Sequence, residues 1–245
     1  MLGLGNSISL SSAVSGFSPD SISDLEMWLK YETSITTDSG SVTAWADQTG
    51  NEHGLVQNLE SERPALVGSV VRFDGTNHDM NIDTDISINA NQDFTLITLI
   101  ATQGSDPSNA SIWGSNANNI FRFNDNQTFR TKIGGAGSSD FGEGSATIAL
   151  TTYYTIMLVR SDGDTGNLKV YVGDAATYTT NGGVSWDDAE THTDTDAFSL
   201  NTVMGLSNRS QRLRADIKEM LVYTKALDQN ERQDIIDYHN AIVAG

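Results

Sequence analysis

Cysteine is absent from this 245-residue chain, proline occurs three times, and basic residues number 14 against 32 acidic ones. Without thiols there is no disulfide framework, no thiolate metal site and no cysteine nucleophile, although extracellular life is not excluded. A formal charge of −18 repels phosphate backbones and anionic bilayers, so nucleic acid and membrane surfaces are not expected partners. No apolar run approaches the roughly 18 residues that span a bilayer. The opening stretch "MLGLGNSISLSSAVSGFS" has no Lys or Arg before Lys30 and no sustained apolar core, so it does not read as a Sec signal. Also missing are a G-x-S-x-G elbow, a P-loop and an H-E-x-x-H helix. His192, beside Asp194 and Asp196 in "DDAETHTDTD", is a single imidazole and too little for a transition-metal site.

What the chain does have is short strands. Apolar and β-branched runs recur between Gly, Asn, Asp and Ser clusters: LEMWLKY (25–31), VTAWA (42–46), GSVVRF (68–73), FTLITLIAT (94–102), SIWG (111–114), NIFRFN (119–124), TFRTKI (128–133), YYTIMLVR (153–160), NLKVYVG (167–173), NTVMGLS (201–207) and IKEMLVY (217–223). Such runs with almost no helix predict an all-β fold of two packed antiparallel sheets. "FDGTN", "FNDNQ" and "SDGDTGN" supply hairpin turns. The polar stretch 177–196 reads as a long loop or hairpin. Sequons occur at Asn109, Asn126 and Asn208, and matter only in a eukaryotic secretory pathway.

Two segments break this pattern. Residues 1–18 hold only uncharged, mostly small residues, and we expect an N-terminal extension in which Leu2, Leu4, Ile8, Leu10 and Val14 dock on a partner, with residues 19–245 forming the sandwich. At the other end, Asp228 followed by Glu231 resembles a capping box, and Ile235, Tyr238 and Ile242 then share one helical face. Just before this helix, strict alternation puts Ile217, Glu219, Leu221 and Tyr223 on one face of a strand. Glu219 is therefore expected to be buried and partnered, with Arg72 and Arg160 as the candidates.

The segment "ADIKEMLVYTKALDQNERQDIIDYH" resembles the close of the laminin-G-like jelly-roll domains of the concanavalin A-like superfamily. There an I-x-E-x-x-x-Y strand, an A-L turn and an E-R-containing helix end the domain. "DLEMWLKYETSI" with "VTAWADQTGNEHGLVQ" is similar to that family's opening, and intervening segments follow its order over roughly residues 20–243. The resemblance implies a two-sheet antiparallel jelly-roll sandwich with one short C-terminal helix acting as an architectural cap, and Trp28 and Trp45 in core positions. The start "MLGLGNSISLSS" is similar to the openings of structural proteins of marine tailed phages. Together these imply a non-enzymatic virion module decorating capsid or tail, assembled in the host cytoplasm with other virion structural proteins. The alternative is a lectin-like carbohydrate-binding domain that takes a cell-surface glycan.

Candidate chemistry is sparse. Retaining glucanases of this superfamily use an E-x-D-x-E strand that places two carboxylates about 5 Å apart. The chain has no such run; Glu60 and Glu62 of "LESER" sit beside Pro64 in a loop, and no catalytic residue is assigned. For glycan stacking, Trp113 with Asn116, and Trp186, are the aromatic candidates expected at the surface. For Ca2+, the sole cofactor considered, Asp47, Asp74 and Asp79 lie in oxygen-rich loops, yet Asp and Asn serve turns equally well by binding their own backbone. Finally, Arg209, Arg212, Arg214, Lys218 and Lys225 concentrate five of the 14 basic residues. Alternation places Arg212, Arg214 and Lys218 on one outward face, as a contact for an acidic partner or simply as a solvated surface.

Overall fold

Alternating apolar side chains need a second layer to hide against, and the chain provides two. The computed structural model describes residues 16–245 except 105–106, 126–127, 135–137, 142–147, 163–164, 175–183, 186–191 and 207–209. In the first sheet, Arg214–Tyr223 pairs on one side with Phe94–Thr102, which continues to Tyr154–Ser161 and Asn167–Asp174. On its other side lie Val70–Asp74 and Leu25–Leu29, end to end. The second sheet runs Ile35–Asp38, Ser41–Trp45, Leu55–Val56, Met80–Ile88, Phe198–Val203, Ala110–Asn116, Asn119–Phe123, Phe129–Lys132 and Ser139–Phe141. Ala65–Val67 bridges the two, and every pairing is antiparallel. The expected all-β architecture is thus present.

Between the sheets lies the main core, where Phe94, Leu96, Ile100, Ile156, Leu158, Met220 and Val222 meet Met80, Ile86, Phe121, Phe123, Phe129 and Leu200. The helix Gln229–Ala244 adds a third layer on the outer face of the first sheet. It starts at the foreseen capping box: Asp228 Oδ1 accepts from the amides of Asn230 (2.8 Å) and Glu231 (2.9 Å), while Glu231 Oε2 accepts from the Asp228 amide at 2.9 Å. Being covered on both faces, all nine residues of Phe94–Thr102 are buried, which is why that run reads as continuously apolar. The helix's buried stripe is Ile235, Ile236 and His239, rotated slightly from the expected one. Gly173 lets it come close, since a Cβ there would lie 3.0 Å from the Ile236 side chain.

Phe17 sits edge-on to Tyr238, with ring centroids 6.0 Å apart, and the Pro19 carbonyl accepts a 2.9 Å bond from the Tyr223 hydroxyl. Leu2, Leu4, Ile8, Leu10 and Val14 lie outside the described residues.

Glu219 is fully buried, as the sequence demands, but neither arginine holds it. Arg72 forks onto Asp216 at 2.7 Å through Nε and Nη2. Arg160, also fully buried, donates to the carbonyls of Gln92 (2.8 Å), Asp196 (2.7 Å), Asn89 (2.8 Å) and Asp194 (3.4 Å). The reason is a β-bulge. Ile217 pairs with Ile100 and Glu219 with Leu99, which leaves Lys218 as the extra residue. Ile217 therefore stays in the inter-sheet core, whereas Glu219 turns with Leu221 and Tyr223 toward the helix. There the Trp28 indole N–H donates to Oε1, and so does the Tyr238 hydroxyl at 3.1 Å. His239 Nε2 lies 3.9 Å from Oε2, and its Nδ1 lies 2.9 Å from the Thr155 hydroxyl.

All Glu219's hydrogen-bond partners are neutral, so burial dominates. It pushes the carboxyl from 4.5 up to about 7 against the opposing pull of Trp28, Tyr238 and Lys30. Burial also pushes His239 from 6.5 down to about 3. The raised carboxyl contributes stability that is complete below about pH 4.5 and lost as pH climbs through 7. The depressed imidazole contributes stability that is complete above 6.5 and lost as pH falls through 3. The two slopes oppose each other between these limits. Glu219→Gln, which keeps an acceptor for Trp28, is therefore expected to remove the alkaline loss: the difference in melting temperature between variant and wild type should shift in the variant's favour from pH 5 to 9. A difference that stays flat across that series overturns the assignment. Glu219→Ala, which strands both donors beside a cavity, is expected to lower stability by about 2–4 kcal/mol in urea denaturation.

Candidate functional site

At one end of the sandwich three described stretches converge: 74–76 between strands, 107–110 after the central strand, and 212–214 at the start of the closing strand. Between them opens a polar cleft of about 380 Å³, lined by Asp74, Thr76, Ser108, Arg212 and Arg214 among others. Its walls are built by side chains tied to backbone. Asp74 Oδ1 accepts from the amides of Thr76 (2.8 Å), Asn77 (2.9 Å) and His78 (3.0 Å), closing the FDGTN turn. Burial raises the Asp74 pKa, but those three amides and His78 outweigh it and hold the carboxyl below its usual range. Asp79, buried behind the loop, accepts from Arg212 Nη2 (2.8 Å) and Nε (3.1 Å) and from Gln57 Nε2 (2.9 Å). Arg212 also reaches the Thr76 carbonyl at 3.4 Å.

Arg214 differs from its neighbour. It is exposed in the cleft, and among the described arginines it is the one whose guanidinium makes no hydrogen bond. Two glycines in the left-handed region flank it: a Cβ on Gly104 (φ +81°) would lie 2.5 Å from Arg214 Nη1, and one on Gly75 (φ +73°) would lie 2.7 Å from Arg214 Cβ.

The expected basic face therefore does not form. Arg212 precedes the strand and pairs inward, Arg214 points into the cleft, and Lys218 occupies the bulge. The Lys218 ammonium caps the helix at the Ile242 carbonyl (3.2 Å) and lies over Tyr31 and Tyr153. Arg209 lies outside the described residues.

The calcium candidates are turn residues held apart by the fold. Asp47 Oδ1 accepts from the amides of Trp28 (2.9 Å) and Thr49 (3.0 Å), and its Oδ2 accepts from the Thr49 hydroxyl (2.6 Å) and the His53 amide (3.3 Å). Asp74 and Asp79 are engaged as described above. Among the described residues no group of three or more His, Cys, Asp or Glu is arranged to hold a metal.

The aromatic candidates fare differently. Trp113 is not at the surface: it is fully buried in the main core, with its indole N–H donating to the Thr98 hydroxyl at 2.8 Å. A second bulge is responsible. Phe121 pairs with Trp113 and Arg122 with Ser111, so Ile112 is extra, and Ile112 and Trp113 both turn inward. Asn116, at the exposed strand end, accepts from the Asn118 amide (2.8 Å) to form a turn. Trp186 lies outside the described residues. Trp28 and Trp45 are buried as expected.

No family model matches the sequence, and no curated protein does. Solved structures do resemble it. Domain 4 of AbnA, a GH43 extracellular arabinanase from Geobacillus stearothermophilus solved in complex with arabinotriose, is similar at TM-score 0.56 and 14% identity, over 87% of this chain and 98% of that one. Trypanosoma rangeli sialidase in complex with sialic acid is similar at TM-score 0.53 and 17% identity, over 90% of this chain and 34% of that one. The binding domain of Paraclostridial Mosquitocidal Protein 1 is similar at TM-score 0.53 and 13% identity, over 84% of this chain and 52% of that one. The chain thus spans about a third of the sialidase's length. At such identities the likeness is one of fold, a β-sandwich that recurs as a domain of carbohydrate-active enzymes.

Losing buried Asp79 takes the 2.8 Å ion pair from the half-buried Arg212 and leaves Glu62 at 3.9 Å. Asp79→Ala is expected to lower the unfolding free energy by about 3–5 kcal/mol, whereas Asp74→Ala, at the open rim, costs about 1 kcal/mol. Urea midpoints rank the two, and millimolar Ca2+ should shift neither the wild-type midpoint nor its melting temperature. Equal costs for the two variants, or stabilisation by Ca2+, would contradict the account of these loops.

Proposed function

We propose that this chain is a non-enzymatic carbohydrate-binding sandwich whose ligand enters the cleft lined by residues 74–76, 107–110 and 212–214. The observation that carries the reading is the cleft itself, where fixed polar groups converge at one end of a rigid sandwich. Asp74 and Arg212 are held by their own hydrogen bonds, so a sugar can be met with little ordering cost. The likeness to an arabinanase domain over nearly its whole length supports a recognition module of this size.

The non-enzymatic part rests on the chemistry of the same wall. Glycoside hydrolysis requires a carboxylic acid that gives up a proton and a second carboxylate across the bond. Among the described residues Asp74 is the carboxylate lining the cleft, and its amides hold it below its usual range, which unsuits it as a proton donor. Glu219, whose pKa is raised, is sealed beneath the helix away from solvent.

The more particular reading, a decoration module on a phage particle, draws on the charge of −18 and the uncharged stretch 1–18. It is compatible with sugar recognition, since a module of this kind can present its cleft to a host surface. Mass spectrometry of purified virions decides that part independently.

Glycan-array screening should return saccharide ligands for the wild type, with dissociation constants of roughly 10 µM to 1 mM, as expected of a small open cleft. A bulky wall substitution, Ser108→Trp, should abolish binding with an unchanged melting temperature. Turnover of any bound polysaccharide, or an array with no hits, overturns the proposal.

A further inference from the structure

Arginines in this protein are spent on internal ties. Arg63 binds Asp38 and the Gln57 carbonyl, Arg72 binds Asp216, Arg130 binds Asp140, and Arg212 binds Asp79. Arg122 and Arg232, which lack a carboxylate partner among the described residues, still donate to Gln211 and to the Leu227 carbonyl. Against 32 acidic residues, a guanidinium with nothing to bind stands out, and Arg214 has nothing to bind among the described residues. Nor does its side chain have free run of the cleft. Gly104 and Gly75 press against it so closely that a methyl group at either position would displace the guanidinium or the Arg214 backbone. The direction of the side chain is therefore set before any ligand arrives, and its donors face the cleft unpaired.

From this geometry we infer that the cleft selects a sugar bearing a carboxylate, which Arg214 binds through paired N–H donors. This rests on the carbohydrate-binding reading above and narrows it to acidic saccharides. A planar guanidinium with several N–H donors in a fixed fork matches a carboxylate's two oxygens, a fit a lysine ammonium cannot reproduce. The rest of the wall limits the charge the ligand can carry. Arg212 is neutralised by Asp79, and Asp74 is held ionised, so among the described residues the cleft offers one uncompensated positive group beside one negative group. One anionic group per bound residue fits, with its hydroxyls toward Asp74, Thr76 and Ser108; a residue carrying several anionic groups meets repulsion from Asp74. Uronic acids have this chemistry.

The experiment is isothermal titration of the full chain with trisaccharides of galacturonate, glucuronate and mannuronate, and with the methyl ester of each. It is run at about 0.15 M salt, where the Debye length of roughly 8 Å screens the protein's overall negative field. At least one uronate should bind roughly tenfold or more tighter than its own ester. Arg214→Gln should bring that ratio close to one by weakening uronate binding far more than ester binding, and Arg214→Lys should restore only part of it. Gly104→Ala, which crowds the guanidinium without removing it, should lower the ratio as well. If wild type binds acid and ester equally, or if Arg214→Gln keeps the preference, the acidic-sugar inference is wrong while the carbohydrate-binding reading stands. If neither these saccharides nor any neutral one on the array binds, both fail together.

Discussion

A carboxylate placed in an apolar layer sets terms for everything packed against it. Glu219 lies where the outer face of the first sheet meets the helix, and its site is furnished to suit a carboxyl group without a countercharge. Trp28 comes from the opening strand and Tyr238 and His239 from the helix, while Thr155, two strands away across the central strand, holds His239. The two ends of the chain thus meet at one carboxyl group. Phe17 and the Pro19 carbonyl are drawn in through Tyr238 and Tyr223, so the start of the described chain is fastened to its end. Neutral donors suffice because burial itself shifts the proton equilibrium toward the uncharged acid, so the site avoids the large penalty of an isolated buried charge.

The bulge at Lys218 makes this arrangement possible, and it serves both faces of the strand. With strict alternation, Glu219 would share a face with Ile217 and enter the inter-sheet core. With one extra residue, the core keeps Ile217, Met220 and Val222 while the helix side receives Glu219, Leu221 and Tyr223. Lys218, released from pairing, caps the helix C-terminus at Ile242, where the carbonyl ends of the dipole favour a cation.

Much of the fold was legible in local pattern. The run FTLITLIAT coincides with a strand buried on both faces, and Asp228 with Glu231 marks the helix start where the capping box forms. Two of the errors share one cause, which is that bulges leave little trace in sequence. The bulge at Ile112 carried Trp113 from an expected sugar-stacking surface into the core, and the one at Lys218 dissolved the expected basic face. Pairings between distant residues were equally hidden. That Arg72 would take Asp216, 144 positions away, and that Arg160 would collect carbonyls instead of a carboxylate, depends on how strands register across the sheet. The cleft was visible only as the FDGTN turn and a cluster of arginines, and its assembly from three separated loops required the fold.

Arginine ties also explain how a chain without cysteine and nearly without proline fixes its loops. Arg160 gathers the carbonyls of two loops at one end of the sandwich, and Arg212 joins the Asp79 loop to the approach of the closing strand at the other. A guanidinium suits this work because its several donors can satisfy several acceptors at once and it stays charged when buried. Where a tie ends on a carboxylate it cancels one charge of each sign, so the protein keeps the net negative charge of its composition. In such a field an exposed, unpaired guanidinium makes its cleft electrostatically unlike the surrounding surface. Short-range recognition by Arg214 and long-range repulsion by the rest of the protein then act at different distances. On the proposed reading, an anion is held in the cleft only when it fits closely enough for direct hydrogen bonds to outweigh the screened field, so the acidity of the sandwich would sharpen selectivity there.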